Sequence, residues 1–339
     1  MSGGVTKGVR VTAHDVAKRA GVSQSAVSRA FTPGTSVSPL MAEKVQKAAD
    51  ELGYRPNVLA RSLITGRSRI IGLLVSYLEN QFYPEALARL SKTFQAKGYR
   101  ILVFMVSRDE GETDRVVQDL LDYQVDGIVA ASVGLSDDVA LKCARSGVPA
   151  VLFNRGQGHP DLCEVTSDNR GGARQVADLF VSSDRERIAH ISGWSGSSTA
   201  RERAEGFKER LAERGSCLFA EACGDFTRDG AIEAARRLFT VPRAERPDAV
   251  FVANDHMAFA VMDVLRFELK LQIPDEVSVV GYDDVPMASW PSYNLTTVSQ
   301  SLDDMVLATV NQLLARIKKE ELTATHERLT GRLIRRGSA

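Results

Sequence analysis

Gly193-Trp194-Ser195-Gly196-Ser197 falls one residue short of the G-x-S-x-G turn that presents a nucleophilic serine between a strand and a helix. An apolar run precedes it, a helical run follows, and His256 and His326 lie downstream as candidate bases. Its final position is Ser instead of Gly, which leaves a serine hydrolase as the minor reading. No G-x-x-x-x-G-K-[ST] phosphate loop occurs, and no G-x-G-x-x-G opens a helix after the first strand. His14, His159, His190, His256 and His326 show no H-E-x-x-H or other ligand spacing. The chain is therefore read as not an enzyme, with no metal and no cofactor.

A different chemistry sits just past the apolar runs. Asn80-Gln81-Phe82-Tyr83, Asn154-Arg155, Asp168-Asn169, the stretch from Ser192 to Arg201, Asp225-Phe226, Asn254-Asp255 and Asp283-Asp284 all occupy such places. Amides, carboxylates and guanidinium groups with a few aromatics suit a polyhydroxylated or otherwise polar small ligand. Any single Asp or Asn there is equally well explained as the cap of the next helix. The set carries more weight than its members.

The elements that must position these groups are legible. IIGLLVS (70–76), RILVFMVS (100–107), DGIVAAS (126–132), PAVLFN (149–154), RIAHISG (187–193), DAVFVAN (248–254) and VSVVGYDD (277–284) alternate with amphipathic stretches near 84–97 and 113–122. Short, strongly apolar strands separated by helices indicate parallel sheets covered on both faces. This number of strands predicts two lobes better than one. In doubly wound sheets, ligands bind outside the carboxyl ends of the strands, where the polar set lies.

Ahead of this body stands a basic head. Residues 1–70 hold 11 Lys or Arg against four Asp or Glu, while the whole chain balances at 43 of each. A basic head on an acidic body suggests a polyanion partner for the head alone. Thr12 and Asp15 form a capping box, Gly21 ends the helix, and Ser23 caps a second in which Ala26, Val27 and Ala30 face inward. Its outer face carries Gln24, Ser25, Ser28 and Arg29, side chains of the types that read base edges and bind phosphates. A helical hairpin with a solvated face is the bland alternative. A third helix starts at Ser38-Pro39 and closes at Gly53, with Leu40, Val45, Ala48, Ala49 and Leu52 on its apolar side. Beyond it, Asn57 is placed to cap a helix over residues 58–63, too short to be stable alone in water.

The four cysteines, Cys143, Cys163, Cys217 and Cys223, form no C-x-x-C pair and read as reduced. The N-terminus lacks the apolar core of a signal peptide, and no apolar run approaches the ~20 residues of a membrane span. The expected location is the cytoplasm.

The run from Asp15 to Ser23, then Ala26-Val27-Ser28-Arg29, Leu52-Gly53-Tyr54-Arg55-Pro56-Asn57 and Ala60-Arg61-Ser62-Leu63 closely resembles the lactose/galactose repressor (LacI/GalR) family, in order and spacing. The resemblance extends through the body to Ser338. It implies a transcription regulator, most often a repressor, with a headpiece, a hinge helix and two lobes like those of periplasmic sugar-binding proteins. Those lobes close on a small effector, commonly a sugar or sugar derivative, and the chain crosses between them three times. On the matching positions, Gln24, Ser25 and Arg29 would contact base edges, and Ser23, Ser28 and Tyr54 would hold phosphates. Asn57, Ala60 and Leu63 would belong to the hinge, with Leu63 as a minor-groove wedge. Phe82, Tyr83 and Asp168 of the first lobe would meet Arg201, Phe226, Asn254 and Asp283 of the second on the effector, with Gln300 at the return crossing. The implied partners are a second copy of the chain, a double-stranded palindromic operator and the effector; no leucine-repeat tail follows Ser338, so a dimer is expected and not a tetramer. Two positions depart from the pattern: residues 183–188 replace the usual Leu-Gly-His turn, and Asn154 stands where an Asp often precedes Arg155.

The expected organisation is a head over residues 10–55, a hinge over 56–67 and an α/β body over 68–339. Its first lobe would take 68–168 and 298–326, its second 169–297 and 327–339. A plain solute-binding protein with no DNA-reading role is the competing reading; the basic head argues against it.

Overall fold

The computed structural model describes residues 11–31, 36–55, 67–106, 110–133, 135, 142–143, 145–158, 162–320 and 326–339. Residues up to 68 and from 69 onward form two compact units.

In the first unit, α1 (Ala13–Ala20), α2 (Gln24–Ala30) and α3 (Pro39–Leu52) pack around buried Val16, Ala17, Val27, Val45, Ala48 and Ala49. Each start has a local chemical cause. Asp15 accepts from the Thr12 N–H at 2.8 Å, and Thr12 accepts in return from Asp15 N–H. Ser23 accepts from Ala26 N–H at 3.2 Å, and Ser38 from Met41 N–H. Gly21 and Gly53 close α1 and α3 with φ near +67° and +66°, a region that costs glycine little. Leu40, expected on the apolar side of α3, is exposed, because the first turn projects beyond the small core.

The second unit holds two six-stranded sheets. The first contains β1 (Ile70–Val75), β2 (Arg100–Met105), β3 (Gly127–Ala131), β4 (Ala150–Phe153), β5 (Cys163–Ser167) and β11 (His326–Leu329), in the order β11-β5-β4-β3-β1-β2 and parallel throughout. The second contains β6 (Ile188–Ser192), β7 (Ala220–Cys223), β8 (Ala249–Val252), β9 (Ser278–Asp283), β10 (Thr296–Ser299) and β12 (Arg332–Ile334), in the order β12-β10-β9-β8-β6-β7, with only β12 antiparallel. Apolar side chains fill both faces. Leu73, Val129 and Val151 enter one core, and Leu74, Ile128 and Leu152 enter another. This two-sided burial is why the strands read as continuous apolar runs.

Five strands escaped the sequence reading: β5, β7, β10, β11 and β12. AEAC, HERL and RLI lie at or near sheet edges and carry no apolar run to betray them. They also move the return crossings. Val298 and Ser299, assigned to the first lobe from sequence, pair in the second sheet with β9 and β12. Residues 326–329 pair with β5 in the first sheet. The crossings therefore fall at 168–169, 300–301 and 330–331, because strand pairing and not local pattern decides lobe membership.

The helices that flank the cleft are α4 (Phe82–Ala96), α6 (Asn169–Ser182), α7 (Ser198–Glu213), α9 (Asp255–Asp263) and α10 (Leu302–Lys318); α5 (Glu110–Asp122) and α8 (Arg228–Phe239) cover the sheets farther off. The rotation of α7 is set from both sides. Arg203, Phe207 and Leu211 recur every four residues on its buried face. On the outer face Glu205 and Glu209 pair with Arg170, and Glu213 with Arg174, both on α6. Such exposed pairs stabilise little individually, but they favour the helix phase that turns Arg203 inward.

Candidate functional site

In each sheet the strand order reverses beside the first strand, between β1 and β3 and between β6 and β8. Loops beyond the carboxyl ends of these strands converge on one small cavity, as expected at such switch points. The first lobe contributes Tyr77, Asn80, Tyr83, Asn154 and Arg155; the second contributes Thr199, Arg203, Phe226, Asn254 and Asp283. The cavity's volume is about 20 Å³, enough for roughly one water molecule. The lobes are closed on each other.

Asp283 lies at the centre of the site. It ends β9 with φ +124° and accepts from Gln300 Nε2 at 2.5 Å and from Asn80 Nδ2 at 3.3 Å. The Arg203 guanidinium stands 3.5 Å away. Burial pushes the Asp283 carboxyl up to about 6, against the pull of Arg203, Asn80 and Gln300. Beneath it Asp255 accepts from the Thr297 hydroxyl at 2.6 Å and Val285 N–H at 3.0 Å. Burial, then the charge of Asp283, raises the Asp255 carboxyl well above the usual range. Carboxyls shifted this way cluster at functional sites.

Arg203 is fixed on all sides. Its Nε donates to Asn169 Oδ1 at 2.9 Å, one terminal nitrogen donates to Ala253 O at 2.6 Å, and its plane lies 3.7 Å from the centre of the Tyr282 ring. Asn169 in turn donates to Glu202 at 2.9 Å and to Ser167 O. On the first lobe, Asn154 donates to the Tyr83 hydroxyl at 3.0 Å, and its buried Oδ1 has no partner. Arg155 donates to Ser132 O at 2.9 Å and reaches between Trp194 and Phe226, at 5.9 and 5.8 Å from their ring centres. Its buried Nε has no hydrogen-bond partner. Asn154, Phe226, Asp283 and Ser132 all have positive φ. Non-glycine residues pay of order 1–3 kcal/mol for such backbones, a cost that concentrates at ligand sites.

A larger open depression of about 690 Å³ lies beside the crossings, lined by Glu85, Arg89, Asp303, Asp304 and Arg336 among others. Most of its charges are paired: Arg89 with Glu85 and Asp303, and Arg336 with Asp284. The smaller cavity, with partnerless buried polar atoms and both lobes in its wall, is the better candidate.

The cavity redraws the residue set expected from sequence. Tyr83, Phe226, Asn254 and Asp283 line it. Gln300 does not line it but holds Asp283. Arg201 is exposed and donates to Ser195 O at 3.1 Å; the guanidinium at the cavity is Arg203, two residues and about 200° farther round the helix. Asp168 does not line the cavity: its carboxylate caps α6, accepting from Gly171 N–H at 2.9 Å. Phe82 stacks on Phe153 in the first-lobe core and lines the open depression. Tyr77 and Arg203 carry no signal in the sequence reading, whereas Asn80 and Thr199 fall in its polar set after the strands but not among its effector residues. Asn154 and Arg155 were noticed after their strand but left out of the effector set. Asn254 caps α9, accepting from Met257 N–H at 2.9 Å while facing the cavity.

Ser195 is exposed, and the two downstream histidines are engaged elsewhere. His256 Nε2 bonds to the Tyr77 hydroxyl at 2.9 Å, and His326 pairs with Glu164 at 3.1 Å. Among the described residues, no three His, Cys, Asp or Glu side chains form a metal-binding group, and no helix is long and apolar enough to cross a membrane.

In the head, Ser23, Gln24, Ser25 and Arg29 are exposed along α2, with Ser28 half-buried. Ser23 and Ser25 share a 2.9 Å hydrogen bond. Tyr54 is half-buried, its ring 5.9 Å from that of Phe31. The expected hinge residues Asn57, Ala60 and Leu63 lie outside the described residues.

Residues 12–57 match the model of bacterial regulatory proteins of the lacI family, and residues 177–339 match that of the periplasmic binding protein-like domain. The ribose operon repressor of Escherichia coli (strain K12) is 31% identical over 331 residues, covering 97% of this chain and 99% of the relative. The transcriptional regulator CelR of Thermobifida fusca is 33% identical over 321 residues, covering 92% and 93%. Among solved structures, the lac repressor dimer bound to operator and the anti-inducer ONPF superposes with a TM-score of 0.87 at 28% identity, over 97% of this chain and 99% of that one. A CelR–cellobiose complex superposes at 0.73 with 31% identity, over 97% and 100%.

Proposed function

This chain belongs to the lacI family of bacterial regulatory proteins, and from that premise we infer that it is a dimeric, sequence-specific DNA-binding transcription regulator, a repressor, whose affinity for operator is set by a small molecule held between its lobes. The observation that carries this reading is the pairing, in one chain, of a capped three-helix basic head with a cleft whose wall is shared by both lobes. The head argues against a solute-binding protein without a DNA role.

In this reading, Gln24, Ser25 and Arg29 present donors and acceptors to base edges in the major groove, where each base pair shows a distinct pattern. Ser28 and Tyr54 take phosphates. Ser23 contributes mainly by capping α2, whose N-terminus then favours a phosphate. Asn57, Ala60 and Leu63 form the hinge element, with Leu63 as wedge in a kinked minor groove. Two-fold symmetry of the dimer implies a palindromic operator, and the cytoplasm is its place of action.

The effector, a sugar or sugar derivative, meets Asp283, Arg203, Asn254, Phe226 and Thr199 from one lobe and Tyr77, Asn80, Tyr83, Asn154 and Arg155 from the other. A ligand bridging both walls favours one lobe spacing over another. Its differential affinity for the two spacings is the coupling to DNA, and DNA must alter effector affinity by the same factor.

The test is selection of genomic fragments by the purified protein at ~150 mM salt, where non-specific phosphate binding is weak, with and without added cell metabolites. Recovery of one palindrome, with retention altered by a metabolite fraction, is the expected result. Retention without sequence enrichment under every condition would sink the reading.

A further inference from the structure

The cavity wall carries two guanidinium groups, Arg155 and Arg203, and one carboxylate, Asp283. The second guanidinium is accounted for: Asp283, Asn169, Ala253 and the Tyr282 ring surround Arg203. Arg155 is not. Among the described residues its one hydrogen bond uses a terminal nitrogen, to the Ser132 carbonyl, and its buried Nε has none. Among the described residues it makes no ion pair. The Trp194 and Phe226 rings, at 5.9 and 5.8 Å, offer cation–π attraction, which does not cancel a charge. The adjoining residue, where a carboxylate would balance Arg155, is Asn154, an amide that donates to Tyr83 and leaves its own Oδ1 unsatisfied. Asp255 lies under the floor and is bonded to Thr297 and Val285. The wall is thus one positive charge in excess, on a group whose planar fork suits a carboxylate or phosphate. A neutral sugar in this cleft would take water from that half-buried charge without supplying a counter-ion, which is costly.

We propose that the effector is an anionic polyol, a sugar acid or a sugar phosphate, whose anionic group is bound by Arg155 between Trp194 and Phe226. This rests on the reading of the interlobe cavity as the effector site.

The experiment is calorimetry on the full chain at constant ionic strength with gluconate, glucose 6-phosphate, ribose 5-phosphate and inorganic phosphate, beside neutral glucose and ribose. At least one anionic polyol should bind tenfold or more tighter than its neutral counterpart. Arg155→Gln should erase that margin, Arg155→Lys should keep part of it, and operator binding by each variant reports folding. The carboxylate and phosphate probes separate the two ligand sources. Equal binding of neutral and anionic partners, binding by none of the anionic probes, or a margin untouched by Arg155→Gln would overturn the proposal. Asn254→Ala distinguishes the underlying reading: a ligand indifferent to both Asn254→Ala and Arg155→Gln binds elsewhere, whereas one sensitive to Asn254→Ala alone occupies the cleft without using Arg155 for an anion.

Discussion

Tyr77 of the first lobe and His256 of the second meet across the cleft, hydroxyl to Nε2 at 2.9 Å, with their rings edge to face at 5.7 Å. Tyr77 follows β1, and His256 is the second residue of α9. With the Asn80–Asp283 hydrogen bond and the Gln81–Met287 contact, this pair ties the loop after β1 to the opposite lobe. A cavity of about 20 Å³ admits no sugar, so ligand entry must part these contacts.

Tyr77→Phe removes the hydrogen bond and keeps the ring. A net hydrogen bond contributes about 1 kcal/mol, so opening becomes easier by roughly fivefold. Stopped-flow measurement should show ligand release faster by about that factor, with operator affinity of the free protein shifted by no more than the same factor. Unaltered release would mean the contact forms only in passing.

Asn169 does not line the cavity, yet it accepts from Arg203 Nε and so aims the guanidinium that faces Asp283. It is a positioning residue. Asn169→Ala should weaken effector binding by about 1–3 kcal/mol, the cost of a buried donor left unpaired. Asn169→Asp keeps the acceptor for Arg203 but loses the donors to Glu202 and Ser167 O, so it should recover only part of the loss. Loss of thermal stability with no change in effector affinity would assign Asn169 a purely structural role.

His190 is fully buried, stacked on Phe251 at 4.9 Å, with Nδ1 2.9 Å from Phe251 O and Nε2 unpartnered. Burial holds its pKa down to about 4. The folded form thus binds the proton less readily than the unfolded chain. Stability from this site is complete above about pH 6.5 and declines as pH falls from there to about 4, at about 1.4 kcal/mol per unit. Urea melts of His190→Phe should show a shallower acid dependence over that window. Parallel curves for variant and parent would contradict this.

Arg29 lies exposed in the last turn of α2. Arg29→Ala should cost about 1–3 kcal/mol at one operator position and relax base choice there. Binding-site selection with the variant checks it. A uniform loss over all sequences would make Arg29 a phosphate contact.

Much of the fold is written in short range. Thr12, Ser23, Ser38, Gly21 and Gly53 act within four residues of themselves, so the head is legible from sequence alone. Six buried strands announce themselves because both faces of their sheets are covered, and β2, partly exposed at its sheet edge, because it too is an apolar run. The missed strands are edge or near-edge elements such as HERL and AEAC, whose pairing comes from distant partners: β11 joins a β5 that lies 162 residues earlier at the Glu164–His326 pair.

The candidate site divides along the same line. Its residue types, amides, carboxylates and guanidinium groups after strands, were determined by the sequence itself, because a doubly wound sheet always offers those loops to a ligand. Which of them face the cavity was decided only by tertiary structure. Arg203 rather than Arg201 enters because α7 is rotated by its core face and its outer pairs with α6. Asp168 is withdrawn because Gly171 N–H claims its carboxylate as a cap. Asn80 reaches Asp283 across 203 residues of chain, and Gln300 across 17. No local pattern encodes such meetings; they exist only once two lobes have folded and closed, when burial removes water and leaves each polar group to find a partner in the other wall.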